Sequence, residues 1–188
     1  MATEATAGRS AAEASDALAL LLDYERRLAV SGATLPGREE VRERWAGVGF
    51  RLGDEFLLAP MEEIQEIIDP PACTRVPGTA PWFLGVANVR GNLLPVMDLH
   101  GLMIGGRASA PRNARVLVYS GEGVSAAFRV DDVLGLKRFY TDEMTDAASG
   151  IESLSAYMTG GFRQGGDAWS IFSFSRFVAS RDFLDITR

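Results

Sequence analysis

From Val48 onward the chain is divided into short segments in which apolar residues alternate with polar or small ones. Residues 48–52 form the first segment, and the turn pair Gly53-Asp54 separates it from a second segment that ends at Ala59. A period of two residues places alternate side chains on opposite faces of a strand, whereas an α-helix needs a period of 3.6. The pattern therefore predicts a β-hairpin here.

Similar short segments continue to the end of the chain, at spacings of about ten residues and with glycines between many of them. Gly91-Asn92 is predicted to be the turn of a second hairpin. Pro60 and the pair Pro70-Pro71 are predicted to lie at edges, bulges or loops, because proline cannot donate a ladder hydrogen bond. The further strands are predicted at 86–90, 93–98, 115–119, 124–130, 133–138, 157–162 and 168–172. Residues 141–155 are predicted to be a loop or short helix, residues 174–178 to form a short helical turn, and no internal sequence repeat is evident. The fold is predicted to be mainly β, in small barrels rather than a parallel sheet.

The N-terminal region has a different pattern. Residues 1–15 are rich in Ala, Thr, Ser and Glu and are predicted to be a disordered tail. Leu18, Leu21, Leu22 and Leu28 then recur on one stripe, which predicts an α-helix that packs either on its own domain or on a partner. Residues 37–45 are predicted to form a short charged helix or linker. The predicted organisation is a tail (1–15), a helical extension (16–44), a globular domain (45–180) and a C-terminal tail (181–188).

Charge and apolar patterning exclude several classes of partner. The 188 residues include 19 Lys and Arg against 25 Asp and Glu, a net charge of −6, which argues against nucleic-acid binding. The apolar runs are far shorter than the roughly 18 to 20 residues that cross a bilayer, and the N-terminus has no secretory pattern. The single Cys73 cannot form an internal disulfide. We therefore expect a cytoplasmic protein without direct membrane insertion.

The same composition argues against common enzyme chemistry. One histidine, His100, and one cysteine cannot make a zinc site of the Cys and His kinds, although a carboxylate site for Mg²⁺ or Ca²⁺ stays open. The phosphate-loop, dinucleotide and nucleophile-elbow motifs are absent from the sequence. His100 is expected to be a surface or structural residue. The acidic pairs Glu62-Glu63 and Asp131-Asp132 are expected to be solvated. No cofactor, metal or catalytic residue is expected.

The segment from Thr74 to Met103 contains a dense motif. Gly85, the turn Asn88-Val89-Arg90-Gly91, Pro95 and the pair Asp98-Leu99 follow one another in an order and spacing that resemble the signature of CheW-like chemotaxis coupling proteins. Gln65-Glu66-Ile67 upstream and Val130-Asp131-Asp132-Val133 downstream extend the resemblance to about residues 46–180. The N-terminal helix and residues 45–53 resemble the PilI branch, which serves type IV pili and twitching motility.

This resemblance implies two small SH3-like β-barrel subdomains packed together, with an N-terminal helix. It implies a non-enzymatic adaptor that couples a chemoreceptor to a CheA-type histidine kinase and controls twitching; the alternatives are the same role in flagellar chemotaxis or, remotely, a β-barrel hydrolase or transferase. The implied partners are the cytoplasmic tip of the receptor and the regulatory domain of the kinase. Through them the protein would reach a membrane-associated receptor array.

By motif position, the resemblance also implies a receptor or kinase interface, formed by Ile64, Glu66, Gly85, Val86, Asn88, Arg90 and Gly91. Alternatives within the fold stay open for several of them. Arg90 could instead brace the corner by pairing with Glu66 or Asp98. Asn88 could cap free backbone groups, and the two glycines could serve backbone shape alone. Pro95 is expected to interrupt a strand, and Asp98 with Leu99 to cap and anchor a short helix.

Overall fold

The chain consists of two compact units, Met1–Val41 and Arg42–Arg188. The computed structural model describes residues 19–27, 42–106, 111–121, 123–146 and 150–185. In the first unit, residues 19–27 are helical (α1), with an ion pair of 2.8 Å between Asp23 and Arg27 one turn apart. Leu21 and Leu22 of the predicted stripe are exposed in this helix. Leu18 and Leu28, like the predicted tail at 1–15, lie outside the described residues.

The second unit is built mainly from β-strands. They are β1 Arg44–Leu52, β2 Glu55–Pro60, β3 Ile64–Ile68, β4 Phe83–Val89, β5 Asn92–Asp98, β6 Arg115–Gly121, β7 Val124–Val130, β8 Asp132–Tyr140, β9 Met158–Gln164 and β10 Asp167–Phe172. The short helices are α2 Leu99–Met103, α3 Glu152–Ser155, α4 Phe174–Val178 and α5 Arg181–Leu184, with 3-10 turns at Met61–Glu63 and Thr141–Glu143. The predicted mainly β fold with an N-terminal helix is confirmed. None of the helices in the described ranges is long and apolar enough to cross a membrane.

The strands form two five-stranded sheets. The first sheet has the order β8-β1-β2-β10-β9 and the second the order β3-β6-β7-β5-β4. The second sheet is one continuous segment of chain, whereas the first takes two strands from before it and three from after it. Each sheet joins two antiparallel hairpins through one parallel pair, β2 with β10 and β5 with β7. The two sheets therefore have the same arrangement of strands, in which β3, β6, β7, β5 and β4 correspond in turn to β8, β1, β2, β10 and β9. The sequence contains no evident repeat that would reveal this correspondence.

Three apolar clusters hold the unit together. One lies within the second sheet, around Val96 and Val116, and another within the first sheet, where Trp45 packs against buried Phe162 with the ring centroids 5.2 Å apart. The third is shared: Phe174 of α4 has its ring centroid 6.1 Å from that of Phe50 in β1 and 4.9 Å from that of Phe128 in β7. Side chains of this size each contribute roughly 1.5–3 kcal/mol when fully buried, so the shared cluster fixes one sheet against the other.

Both predicted hairpins form, with one correction of register. Leu52 pairs with Glu55 across the first turn, as predicted. In the second hairpin Val89 pairs with Asn92, so the turn is Arg90-Gly91 and the predicted turn Gly91-Asn92 is wrong by one residue. Both residues of the observed turn have positive φ, 50° and 89°, which is the requirement of a tight turn that follows strand twist.

Three other local predictions are corrected by tertiary packing. β5 runs through Pro95 without interruption, because its parallel pairing with β7 begins only at Val96. β1 begins at Arg44, inside the segment 37–45 that was predicted as helix or linker and of which 37–41 lies outside the described residues. At the C-terminus, α5 buries Phe183, so packed structure continues past residue 180.

Candidate functional site

The β4–β5 turn places an arginine in a backbone conformation that favours glycine. Arg90 is the only non-glycine residue with positive φ among the described residues, and an L-residue pays about 1–2 kcal/mol for this conformation. The amide of Gly91 donates to Oδ1 of Asn88 at 2.8 Å, so the capping role of Asn88 is observed. Backbone strain of this kind concentrates at functional positions, so Arg90 is a candidate functional residue.

The Arg90 side chain pairs with Glu66 across the second sheet. Its Nη2 lies 2.8 Å from Oε2 of Glu66; the arginine side chain is 79% exposed and the glutamate 17%. Although the distance is short, Oε2 accepts no aligned hydrogen bond from the described part of the chain, so the contact is one of charge and leaves guanidinium donors free. The pair joins the β4–β5 turn to β3, and these are the two edges of the sheet.

The alternative pair of Arg90 with Asp98 does not form. Asp98 makes a buried ion pair with Arg129 of β7 at 3.1 Å. It precedes α2 without a side-chain capping hydrogen bond, so its predicted capping role is wrong. Leu99 is completely buried, as expected of an anchor.

Gly85 serves the packing of the backbone. It is buried in β4 with φ 128°, and a Cβ there would lie 2.2 Å from the carbonyl oxygen of Thr74. Thr74 and Val86 exchange two backbone hydrogen bonds of 2.8 and 2.9 Å beside it. Only glycine permits this approach, so Gly85 shapes the corner without offering a side chain to a partner.

The apolar residues that are exposed near the β4–β5 turn differ from those expected at the interface. Ile64 is 9% exposed and packs in the shared core, so it offers almost no surface for the apolar contact expected of it. Val86 is half-buried against the same core. Leu93 is 74% exposed and lies opposite Asn88 in the strand register, so these two side chains share a face.

Leu93 was missed in the sequence, although a signal exists. Leu94 and Val96 are both buried in β5, and strand alternation turns Leu93 to the opposite side. We call the surface formed by Glu66, Asn88, Arg90, Gly91 and Leu93 the Arg90 corner. It presents free guanidinium donors beside an exposed leucine, an arrangement suited to binding another polypeptide.

Three titratable residues of the sequence analysis, His100, Asp131 and Glu63, have structural partners. Asp131 Oδ2 accepts from the amide of Gly53 and lies 2.7 Å from Nδ1 of His100, so the structural role expected of His100 is observed and the solvated state expected of Asp131 is wrong. Glu63 accepts from the amide of Phe174 at 2.6 Å and is likewise not solvated. Burial raises the pKa of the Cys73 thiol, which keeps it protonated at neutral pH.

Within the described ranges, no group of three or more His, Cys, Asp or Glu side chains is placed to hold a metal ion.

The sequence of the chain is similar to a family of known proteins. The model of the CheW-like domain matches residues 46–182. The chain is 36% identical to a protein named PilI from Pseudomonas aeruginosa, over 89% of this chain and 94% of that protein. It is 32% identical to a chemotaxis protein CheW from Helicobacter pylori, over 70% and 81% of the two chains.

Among solved structures, the scaffolding protein TtCheW from Thermoanaerobacter tengcongensis superposes with a TM-score of 0.66. The match covers 74% of this chain and 96% of that chain at 19% identity. Similarity of this kind concerns the fold.

Proposed function

The chain belongs to the family of CheW-like domains, and from that membership we propose that it is a non-enzymatic adaptor coupling a chemoreceptor to a CheA-type histidine kinase. The similarity to PilI supports the PilI branch, so the pathway that we propose is the control of type IV pilus twitching motility. The similarity to a chemotaxis CheW favours the same role in flagellar chemotaxis as the second candidate. The proposed place of action is the cytoplasm, at a receptor array reached through these partners.

The observation that carries the proposal is the exposed Arg90 in a left-handed turn. A guanidinium offers five donors in a fixed fork, which match a carboxylate or the free carbonyls at a helix end. Glu66 holds the side chain in place through charge, and Leu93 adds apolar surface beside it. These features support the Arg90 corner as the docking site for the helical tip of a receptor.

The remaining residues expected at the interface take different parts in the proposal. Val86, Asn88 and Gly91 belong to the contact region or support its turn. Gly85 positions the corner through the backbone, and Ile64 supports it from the core. An adaptor must also keep two partners at a fixed separation, and the core shared by the two sheets supplies that rigidity.

Charge reversal at Arg90 tests the proposal. We expect Arg90→Glu to weaken binding of the receptor cytoplasmic fragment at least tenfold, because it adds repulsion at the interface. The melting temperature should fall only slightly, because the arginine of the ion pair is 79% exposed and ion pairs open to solvent contribute roughly 0–1 kcal/mol. Arg112→Glu is the matched control, since Arg112 is exposed outside the Arg90 corner. Wild-type affinity of Arg90→Glu would remove Arg90 from the docking site.

A charge swap distinguishes direct contact of Arg90 with the receptor from bracing of the β4–β5 turn by Arg90. In the double variant Glu66→Arg/Arg90→Glu the ion pair is restored with its signs exchanged. If Arg90 only braces the turn, binding recovers; if it contacts the receptor, binding stays weak, which is the result that we expect. Co-purification from cells, with the bound receptor and kinase identified by mass spectrometry, assigns the pathway, and recovery of neither partner would refute the adaptor role.

A further inference from the structure

A concave surface lies between β8 and β9, the edge strands of the first sheet. Its volume is about 420 Å³, and it is lined by Arg44 of β1, Arg138 of β8 and Arg163 of β9. Tyr140 and Glu143 complete the rim beside Gln164. Three arginines thus line one concavity, and Glu143 is the one acidic residue among its lining residues.

The charges around this concavity are not balanced within the described part of the chain. Arg44, Arg138 and Arg163 make none of the ion pairs found there. Glu143 lies 3.4 Å from Arg42, which itself binds Asp142 at 2.7 Å. The surface is therefore locally positive on a chain whose net charge is −6. Neighbouring like charges raise the free energy of the unbound surface, and an anion would relieve that repulsion.

The shared topology of the two sheets gives a second, independent reason. The β9–β10 turn consists of Gly165 and Gly166 with φ 66° and 95°, and it corresponds to the β4–β5 turn at Arg90 and Gly91. The backbone bridge of Thr145 to Gly161 corresponds to that of Thr74 to Val86. The arginine concavity therefore adjoins the counterpart of the Arg90 corner.

The two corners differ in how their positive charge is balanced. In the second sheet, the edge strand β3 supplies Glu66 to Arg90. In the first sheet, the edge strand β8 has Gly135 at the corresponding position, directly after a register shift like the one before Glu66. The acid of β8, Asp132, lies at its start, and Lys137 and Arg138 lie towards its other end. Arg90 therefore has a carboxylate partner on the edge strand of its sheet. At the corresponding corner of the first sheet, the edge strand β8 provides no such carboxylate.

We propose that this concavity binds an acidic segment of a protein partner. Carboxylates of that segment accept from the guanidinium groups of Arg44, Arg138 and Arg163. Glu143 on the rim and the negative net charge disfavour polyphosphates and nucleic acids, which carry a dense charge. The proposal rests on these charges and does not depend on the function proposed above.

A labelled acidic peptide tests the proposal on the full-length chain. The probe is a fluorescein-labelled peptide of ten glutamates, and binding is followed by fluorescence anisotropy at low salt. We expect Arg138→Glu/Arg163→Glu to weaken binding at least tenfold, since charge-assisted hydrogen bonds are the strong ones. The control Arg112→Glu/Arg181→Glu makes the same change of net charge at exposed arginines outside the concavity and should stay within about twofold of wild type.

Each other outcome contradicts the proposal. Absence of saturable binding, or equal weakening by the control pair, would show that no specific site exists. Displacement of the peptide by ATP or single-stranded DNA at a lower concentration than by unlabelled peptide would assign the site to phosphates. Circular dichroism checks folding, and Arg138→Gln/Arg163→Gln replaces the glutamate pair if that pair does not fold, with the same loss expected.

Discussion

Glu63 connects the two halves of the second unit through three hydrogen bonds. It ends the 3-10 turn before β3, and its carboxylate accepts from Ser173 Oγ at 3.0 Å, from the Phe174 amide at 2.6 Å and from Ser175 Oγ at 2.9 Å. The Phe174 amide belongs to the first turn of α4, whose own backbone leaves such donors free. Glu63 therefore holds the aromatic helix of the shared core at the junction of the sheets.

The cost of removing this carboxylate follows from those contacts. A hydrogen bond to a charged group is worth about 1.5–3 kcal/mol, and a buried donor left without an acceptor costs about 1–3 kcal/mol. The two serine hydroxyls can rotate to other acceptors, whereas the Phe174 amide is fixed by the helix. We therefore expect Glu63→Ala to lower the free energy of unfolding by about 3 kcal/mol in total, which corresponds to about 6–12 °C in melting temperature for a chain of this size.

Urea unfolding followed by circular dichroism measures this difference. The matched control is Glu62→Ala, because Glu62 is the neighbouring residue and is exposed; surface changes of this kind stay within about 0.5 kcal/mol. If Glu63→Ala were as stable as Glu62→Ala, the three contacts would contribute nothing to stability, and the reasoning would be refuted.

Two further predictions concern backbone packing and pH. Gly85→Ala should destabilise the protein by about 3 kcal/mol or more, because its Cβ would meet the Thr74 carbonyl oxygen at 2.2 Å; Gly78→Ala, with φ 79° and nothing within 4 Å, should cost only about 1 kcal/mol in the same urea assay, and equal costs would contradict the steric argument. Burial, then the hydrogen bond to Asp182, raises the pKa of Tyr157 above its ordinary value, so the stability linked to the neutral phenol is present below about pH 10 and lost as pH rises through the raised pKa. Tyr157→Phe should therefore lose less stability than wild type between about pH 9 and about pH 11, and an identical loss in urea melts would disprove this assignment.

Local sequence patterns predicted the strands well, since alternation and turn residues act over a few positions. The predicted strand at 124–130 and helical turn at 174–178 coincide with β7 and α4. The second hairpin was also predicted, but its turn was displaced by one residue, because the pattern placed Gly91 first in the turn and Arg90 in the strand, whereas Arg90 itself has positive φ. Propensity alone could not reveal that an arginine takes this conformation.

Contacts between distant segments were beyond the reach of such patterns. Glu63 and Ser173 are 110 residues apart, and Gly53 and Asp131 are 78 apart. No local rule pairs them, so both acids were expected to be solvated. The common topology of the two sheets was hidden for the same reason, because it lies in which strands pair and not in repeated residues.

At the candidate site, the structure brings three residues of the motif together. Asn88, Arg90 and Gly91 all lie at an exposed corner. Burial of Ile64 and exposure of Leu93 depend on which face of each strand meets the core, and that choice is fixed only by the packing of one sheet on the other. The sequence therefore located the corner better than it identified its apolar contact.

The interleaved path of the chain sets an order of assembly during translation. Among the described strands β1 and β2 leave the ribosome first, yet their partners β8 and β10 are made only after the whole second sheet. Pairings separated by so much chain form late. Nascent chains therefore display Phe50 and Leu57, both buried in the finished protein, for most of their synthesis. The sheet that carries Arg90 can pair its strands first, while the hairpin that is made earliest is the last to be enclosed.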